Sequence, residues 1–288
     1  MPEGLESVIR ECYKVWRKNP VLAAPFLMNA TIDVSLIVAF IALVFFLLNP
    51  LKGTGMQFNI SMINWGFLLL DILLLMILIF IMHVLSAFFR AGSIGMAKKA
   101  LETGKTSLDD LAESGRKKFL QILAARLIIF AAASIVGLLL LIPQFILQGE
   151  YLTMSPIAFV IVFALVDYAI VLSDIGIVDG LSKGFNFFKA NMFETVLLWS
   201  FTRVLESAVL LACVVLGMLI IGASTLFMPL GDLSAESIAK ALGPSLMILV
   251  IAAGVVVIVF ILALSYILSP LVTLFFSRFY MGRAGKGA

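Results

Sequence analysis

Six long apolar stretches limit what this chain can fold into more than any other feature. They cover roughly residues 21–48, 63–89, 119–147, 155–178, 192–227 and 244–277. The hydrocarbon core of a bilayer is about 30 Å thick, and a helix of about 20 mostly apolar residues crosses it. Because 62% of the residues are hydrophobic and only 13% are charged, the composition excludes an ordinary soluble domain. The sequence therefore predicts an all-α, polytopic membrane helix bundle with six transmembrane helices.

A short basic, amphipathic segment precedes every second apolar stretch, which divides the chain into three similar units. The predicted units cover about residues 1–100, 101–177 and 178–288 of a single integral membrane domain. Each unit is expected to contain an amphipathic interfacial helix followed by a transmembrane hairpin.

Helical periodicity supports the three amphipathic segments. The first has apolar residues at helical spacing, namely Leu5, Val8, Ile9, Cys12 and Trp16. In the second, Ser107 and Asp110 form a capping-box pattern that predicts a helix start. In the third, the repeating apolar residues are Leu181, Phe185 and Phe188. We expect these stripes to lie in the acyl boundary of the cytoplasmic leaflet. The segments then serve either as elbows that position each hairpin or as a collar that senses lipids or a partner.

The basic residues predict the orientation of the chain. Sixteen of the twenty Lys and Arg residues fall on the side that holds both termini, and only Lys52 and Lys240 fall on the opposite side. By the positive-inside rule, both termini are cytoplasmic in a multi-pass protein of the cell membrane. The predicted lipid-interface residues are Arg10, Lys14, Arg17, Lys18, Lys98, Lys99, Arg116, Lys117, Lys118, Lys183 and Lys189. Membrane lipids are therefore the expected partners, and a protein partner or a homo-oligomer stays open.

Ionisable residues inside the apolar stretches form the main candidate site. Counted at 1.5 Å per residue from the cytoplasmic ends, four of them lie about 18–22 Å up their helices. This predicted mid-membrane polar layer consists of Asp33, Asp167, Arg203 and Glu206. A second tier of intramembrane polar residues consists of Asp71, His83, Arg126, Tyr168 and Tyr266.

The charges of this layer do not balance. We expect Arg203 to pair with Asp167 or Asp33 as well as with Glu206, and Arg126 to snorkel towards the cytoplasmic interface. Since one arginine cannot neutralise three carboxylates, at least one acid is expected to be protonated, hydrated or bound to a cation. Three interpretations stay open: a structural lock, a water-filled or proton-coupled pathway, and a pocket for an apolar substrate with a polar anchor.

Searches for catalytic motifs exclude several classes. The chain has one histidine, His83, which excludes a multi-histidine zinc site, and it lacks a Gly-x-x-x-x-Gly-Lys-Ser/Thr loop. Ser93 lacks a Gly-x-Ser-x-Gly elbow. No metal or cofactor is predicted. The net charge of +3 reflects topology rather than a nucleic-acid partner.

The third unit has a distinctive local pattern in residues 173–193. An acidic residue is followed by Gly and by Gly-Leu, then by a basic, aromatic helix and an aromatic residue that enters the next span. This pattern resembles the membrane domain attached to some glycerophosphoryl diester phosphodiesterases and related prokaryotic membrane proteins of unknown function. The tail from Ser269 to Tyr280 is similar to the last span of that group. In that group, phosphodiesterase activity belongs to a soluble barrel that follows the last span. The resemblance covers only the membrane part and therefore implies no phosphodiesterase activity.

Three function classes follow from these observations. The favoured one is non-enzymatic transport of a small solute, ion or lipid through or along the polar layer, consistent with internal repeats. The alternative is a membrane scaffold or accessory protein that binds lipids or a partner through its basic amphipathic helices. An intramembrane enzyme is the least favoured, because no nucleophile–base or metal pair is visible.

Overall fold

The computed structural model describes residues 5–48, 65–147, 161–205, 207, 211, 259–260, 262–263 and 266–284. All regular secondary structure in these ranges is helical, as the sequence predicts. Three helical segments are long and apolar enough to cross a membrane, namely Pro20–Leu43, Ile72–Thr103 and Leu108–Leu139. Their length and composition indicate an all-α membrane protein.

Helix α1 (Leu5–Lys18) is amphipathic and leads into helix α2 (Ala24–Leu48) through a short 3₁₀ turn, Pro20–Ala23. The apolar face of α1 packs against the protein, and Cys12 is completely buried there. The stripe predicted to lie in the acyl boundary therefore packs at least in part against other helices, with Val8, Ile9 and Trp16 only partly buried. Burial raises the pKa of the Cys12 thiol to about 12, so the thiol is protonated at neutral pH.

Helices α3 (Trp65–Thr103) and α4 (Leu108–Leu147) form a long antiparallel hairpin. At 1.5 Å per residue each is about 60 Å long, which is twice the thickness of the hydrocarbon core. The tight connection uses Gly104, whose φ of 77° lies in the left-handed region. Its N–H donates to the Ala100 carbonyl and so ends α3. The hairpin therefore extends well beyond any bilayer that it crosses.

The start of α4 agrees with the predicted capping pattern, because the Ser107 N–H donates to the Asp110 carboxylate at 2.8 Å. However, the segment that follows is no separate interfacial helix, since α4 continues unbroken from Leu108 to Leu147. Leu111 explains this difference: it is buried against α3 at Gly92, where a Cβ would lie 2.8 Å from the Leu111 carbonyl oxygen. Packing against α3 thus holds the segment in line with the rest of the helix.

The remaining described helices are shorter. Helix α5 spans Val166–Leu172 and helix α6 spans Ile177–Ala190. Two further helical stretches, which we call α7 (192–205) and α8 (266–284), complete the described chain. The fourth apolar stretch, predicted to reach residue 178, ends as a helix at Leu172, because Asp174 adopts a left-handed φ of 54°.

The amphipathic helices α1 and α6 end in the same way. Each has 14 residues and is followed by an asparagine with φ of −129°. The Asn19 side chain donates to the carbonyl of Val15 at 2.9 Å, and that of Asn191 donates to the carbonyl of Phe187 at 3.1 Å. Both bonds satisfy a carbonyl in the last helical turn. The first and third predicted units therefore share a local structure that the second lacks.

Small residues let the helices around the core approach closely. Buried alanines occur along the enclosed part of α3, namely Ala87, Ala91, Ala97 and Ala100. On α6, Gly180 and Gly184 lie against α5, where a Cβ at Gly184 would be 3.0 Å from the Cα of Val166. Large apolar side chains are instead exposed on α3 between Leu69 and Ile81 and on α4 between Leu127 and Leu139. This exposed apolar band is suited to contact with lipid tails.

Candidate functional site at an arginine–aspartate cluster

Asp167, on α5, is the centre of a charged cluster. Its Oδ2 atom accepts hydrogen bonds from Arg126 Nη2 at 2.7 Å and Nε at 3.2 Å. The same oxygen lies 3.6 Å from Arg90 Nε. The carboxylate side chain is 13% exposed, whereas the side chains of Arg90 and Arg126 are 25% and 32% exposed. One carboxylate thus holds two guanidinium groups together, and both stay accessible from outside the protein.

Hydroxyl groups complete the cluster. Arg90 Nη2 donates to the Tyr168 hydroxyl at 3.0 Å, and Nη1 donates to Thr273 Oγ1 at 3.4 Å. Arg126 Nη1 donates to Ser86 Oγ at 3.4 Å. The Arg90 guanidinium also lies 4.9 Å from the centre of the Tyr168 ring, a cation–π distance. These contacts join four helices, α3, α4, α5 and α8.

The local fold keeps the cluster in place. Ser86 and Arg90 are four residues apart and so share one face of α3. Tyr168 is completely buried, and its ring centre is 5.5 Å from that of Phe276 on α8. The two glycines of α6 bring that helix against the back of α5. The cluster is therefore built on packed helices rather than on loops.

The cluster lies at the edge of the exposed apolar band that is nearer to the Gly104 turn. About 38 Å of helix separates Trp65 from Arg90, and about 32 Å separates Arg126 from Leu147. Both lengths reach or exceed the thickness of the hydrocarbon core. Arg126 is thus next to Leu127, the first residue of the band on α4, whereas Arg90 is nine residues beyond Ile81, its last residue on α3.

The predicted partners of Asp167 and Arg126 differ from the observed ones. Among the described residues, the cations within 4 Å of Asp167 are Arg126 and Arg90, not Arg203. The Arg203 guanidinium lies 5.4 Å from the centre of the Trp199 ring. Arg126 is bound to Asp167 instead of snorkelling away. Counting residues gives the height of a side chain along its helix but not its rotation, and rotation decides these pairings.

Arg90 is the residue that sequence reasoning missed. It directly follows the second apolar stretch, 63–89, and so falls among the basic residues that the sequence predicts at the cytoplasmic side. A usable signal was present, because Ala87, Ala91 and Ile94 continue a helical apolar pattern through this region. That pattern places Arg90 inside a helix.

Asp33 makes a separate contact on α2. Its Oδ2 accepts a hydrogen bond from Asn29 Nδ2 at 2.7 Å. The Oδ1 atoms of both residues are buried without a hydrogen-bond partner. Glu206 lies outside the described residues, and so does the side chain of Asp71. The predicted four-residue layer is therefore represented in the structure by Asp33, Asp167 and Arg203.

The second-tier residues lie in different surroundings. The exposed His83 forms a hydrogen bond between Nδ1 and the carbonyl of Ile79 at 3.0 Å. Tyr266 is 40% exposed, with its ring centre 6.3 Å from that of Trp16. Of this second tier, the structure brings Arg126 and Tyr168 into the cluster around Asp167.

Several predicted lipid-interface lysines instead hold the turn between α5 and α6. Lys98 Nζ donates to the Leu172 carbonyl at 3.0 Å, at the C-terminal end of α5. Lys117 and Lys118 each lie 2.7 Å from the Asp174 carboxylate. Their hydrogen bonds and positive charges lower the pKa of Asp174 to about 2. These three lysines therefore have structural roles within the protein.

Lys99 pairs with Asp110, across the hairpin next to the Gly104 turn. The remaining predicted interface residues are exposed: Arg10, Lys14, Arg17, Lys18, Arg116, Lys183 and Lys189. The basic face of α1 thus points away from the core.

Comparisons with known proteins do not add to this site. No protein-family model, no curated protein and no solved structure matches the chain. Within the described ranges, no group of three or more His, Cys, Asp or Glu side chains is arranged to hold a metal ion. The fold and the arginine–aspartate cluster are therefore the features from which a function can be inferred.

Proposed function

We propose that this chain is a six-span integral membrane protein of the cell membrane, with both termini in the cytoplasm. Three described helical segments are long and apolar enough to span, and the basic residues are concentrated on one predicted side. The shared structure of α1 and α6 supports a repeat between the first and third units. The resemblance of residues 173–193 to the membrane domain named above belongs to this proposal, and that motif coincides with the α5–α6 turn and helix α6.

The function that this site supports best is transport of a small solute, ion or lipid, with the cluster of Arg90, Arg126 and Asp167 as the binding site. One observation carries it: a charged cluster lies within an apolar helix bundle, and its arginines remain accessible. A charge within the bilayer costs about 2.5–3.5 kcal/mol on the insertion scale, and such residues typically mark substrate or ion pathways. With the predicted orientation, the site lies on the cytoplasmic side of the membrane rather than in its middle.

A flux measurement on reconstituted protein tests transport. Purified protein is inserted into vesicles of phosphatidylcholine and phosphatidylglycerol, and two probes are followed. One is fluorescent phosphatidylglycerol, quenched from outside to report lipid translocation, and the other is an internal pH dye. We expect wild-type protein to exceed empty vesicles with at least one probe. Asp167→Asn removes the charge that orients both arginines, so it should lower that flux about tenfold or more.

The matched control is Asp179→Asn, which makes the same chemical change at an exposed position of α6. It should keep the wild-type rate. Wild-type flux equal to that of empty vesicles with both probes would contradict transport. Equal flux for Asp167→Asn and wild type would show that transport does not depend on this site.

A second candidate function, a membrane scaffold, is favoured by the surfaces of α1 and α6. The basic face of α1 is exposed, and each Lys or Arg near an anionic membrane surface contributes about 1 kcal/mol. On α6, Val178 is 77% exposed and Phe185 is 45% exposed, while Gly180 and Gly184 face α5. An apolar stripe beside a polar face is typical of a helix at a membrane interface. Absence of flux would favour this function.

A further inference from the structure

The cluster around Asp167 holds more positive than negative charge. Its charged members among the described residues are Arg90, Arg126 and one carboxylate, so it carries one excess positive charge when all are ionised. The other contacts of the two arginines are the hydroxyls of Ser86, Tyr168 and Thr273, which are neutral at pH 7. A partly buried excess charge is costly in an apolar bundle unless a counter-ion approaches it.

Both arginines have N–H groups that do not donate hydrogen bonds within the described part of the protein. A guanidinium has five N–H groups, of which Arg126 uses three and Arg90 uses two in hydrogen bonds within the protein. Both side chains reach the same oxygen, Asp167 Oδ2, so the two guanidinium groups lie near each other. The side chains are 25% and 32% exposed, so part of each arginine lies at the protein surface.

The position of the cluster indicates the chemistry of that anion. Arg126 adjoins the exposed apolar band at Leu127, and we infer that the phosphates of a bilayer leaflet lie near this level. Arginine forks match the geometry of phosphate oxygens, and neighbouring hydroxyls add hydrogen-bond donors. Basic pockets between transmembrane helices on the cytoplasmic side are suited to anionic head groups.

We propose that Arg90 and Arg126 bind a phosphate group at this site, supplied either by the head group of an anionic phospholipid or by a free phosphate ion. Asp167 then acts as a positioning residue that holds the two guanidinium groups side by side. This inference rests on the proposed transport function, because it names the class of ligand bound at the same site. Phosphate binding can still be measured without any flux.

A binding measurement on the full-length protein in detergent micelles tests this inference. Two probes are titrated separately: inorganic phosphate, and short-chain phosphatidylglycerol with phosphatidylcholine of equal chain length as the uncharged control. Arg90→Gln is the main variant, because it removes one guanidinium and leaves the Arg126–Asp167 bond. Lys105→Gln removes one positive charge at an exposed position outside the cluster. We expect Arg90→Gln to weaken binding about tenfold or more and Lys105→Gln to leave it unchanged.

The two probes distinguish the sources of the phosphate. Binding of phosphatidylglycerol without inorganic phosphate supports a lipid ligand, and binding of inorganic phosphate supports a free ion. Binding of neither probe, or equal weakening by both variants, would overturn the inference. Binding without vesicle flux would keep the inference and contradict transport. Flux without phosphate binding would support transport and contradict the inference.

A second measurement on the wild-type protein does not depend on any variant folding. An arginine-specific dicarbonyl reagent is applied with and without the bound probe, and the modified positions are mapped by peptide mass spectrometry. The probe should protect Arg90 and Arg126, while the modification of Arg283, which pairs with Glu194 outside the cluster, stays the same. Equal modification of Arg90 and Arg126 in both conditions would overturn the inference.

Discussion

At the scale of single residues, the two ends of α5 have the same arrangement of charge, one aspartate between two cations. Near its start, one carboxylate, Asp167, holds two arginines. After its end, Asp174 is held by Lys117 and Lys118, whose side chains come from the neighbouring α4. In both places the aspartate comes from the short α5 region and the cations come from the long hairpin. Ion pairs therefore attach α5 to the hairpin at both ends.

The second of these arrangements predicts a pH dependence. The pKa of Asp174 is lowered from its usual value of 3.8 to about 2, so the folded state favours the ionised form. This contribution to stability is complete above about pH 4 and is lost as the pH falls towards 2. Asp174→Asn keeps a residue type that tolerates the left-handed backbone and removes only the charge. The variant should unfold at a slightly lower temperature than wild type at pH 6, and this difference should vanish near pH 2.

Thermal unfolding followed by intrinsic fluorescence in micelles measures the effect. The effect is modest because the ion pairs are exposed and screened, so high salt should reduce it. Asp179→Asn serves as the control for removing an exposed acid. An unfolding temperature for Asp174→Asn that equals wild type across the whole pH range would show that these ion pairs contribute nothing to stability.

The residue scale also shows how far sequence reasoning reached. An aspartate inside an apolar stretch is conspicuous in the sequence, so Asp167 was predictable as a buried polar group. Its partners were not, because residue spacing put Arg203 at the height of Asp167 and Arg126 lower, towards the cytoplasmic interface. The choice of Arg126 depends on which faces of α4 and α5 touch, and this information is absent from residue spacing.

At the scale of elements, the hairpin of α3 and α4 is the largest described structure. Its two helices touch where small residues face each other. At Gly95 an added Cβ would overlap the Cβ of Ser114, which rotation of the serine side chain does not move. Glycine is thus required there for close approach of the helices, whereas Gly137 on α4 has no such neighbour within 4 Å.

Gly95→Ala and Gly137→Ala therefore form a matched pair. Gly95→Ala should destabilise the protein by about 1–3 kcal/mol through overpacking. Gly137→Ala should be neutral or slightly stabilising, because alanine favours a helix over glycine by about 1 kcal/mol. Thermal unfolding in micelles, with circular dichroism to confirm that helix content is retained, measures both. Equal unfolding temperatures for the two variants would contradict this account of the hairpin.

The amphipathic elements were predicted with mixed success. The predicted start of α4 is confirmed, because a capping pattern depends only on residues within four positions of one another. Its separation from the following span was wrong, since continuity depends on packing against α3. The asparagines that end α1 and α6 are visible in the sequence, but their equivalent hydrogen bonds became evident only in the structure.

At the scale of the whole molecule, orientation is the most direct prediction. Single cysteines are placed at Lys18 and Lys52 in a chain whose native Cys12 and Cys213 are replaced by alanine. With both termini in the cytoplasm, a membrane-impermeant maleimide applied to intact cells should label Lys52→Cys and not Lys18→Cys. Permeabilised cells should show labelling of both. Labelling of Lys18→Cys in intact cells would reverse the proposed orientation.

The sequence by itself determined the class of protein and its helical nature, because hydrophobic length and composition act without reference to neighbouring segments. It also determined the predicted orientation, since that depends only on where lysines and arginines fall along the chain. The tertiary structure decided which charges meet. It placed Arg90 beside Arg126 and Asp167, because the rotation of each helix about its axis is set by packing at glycines and alanines that contact other helices.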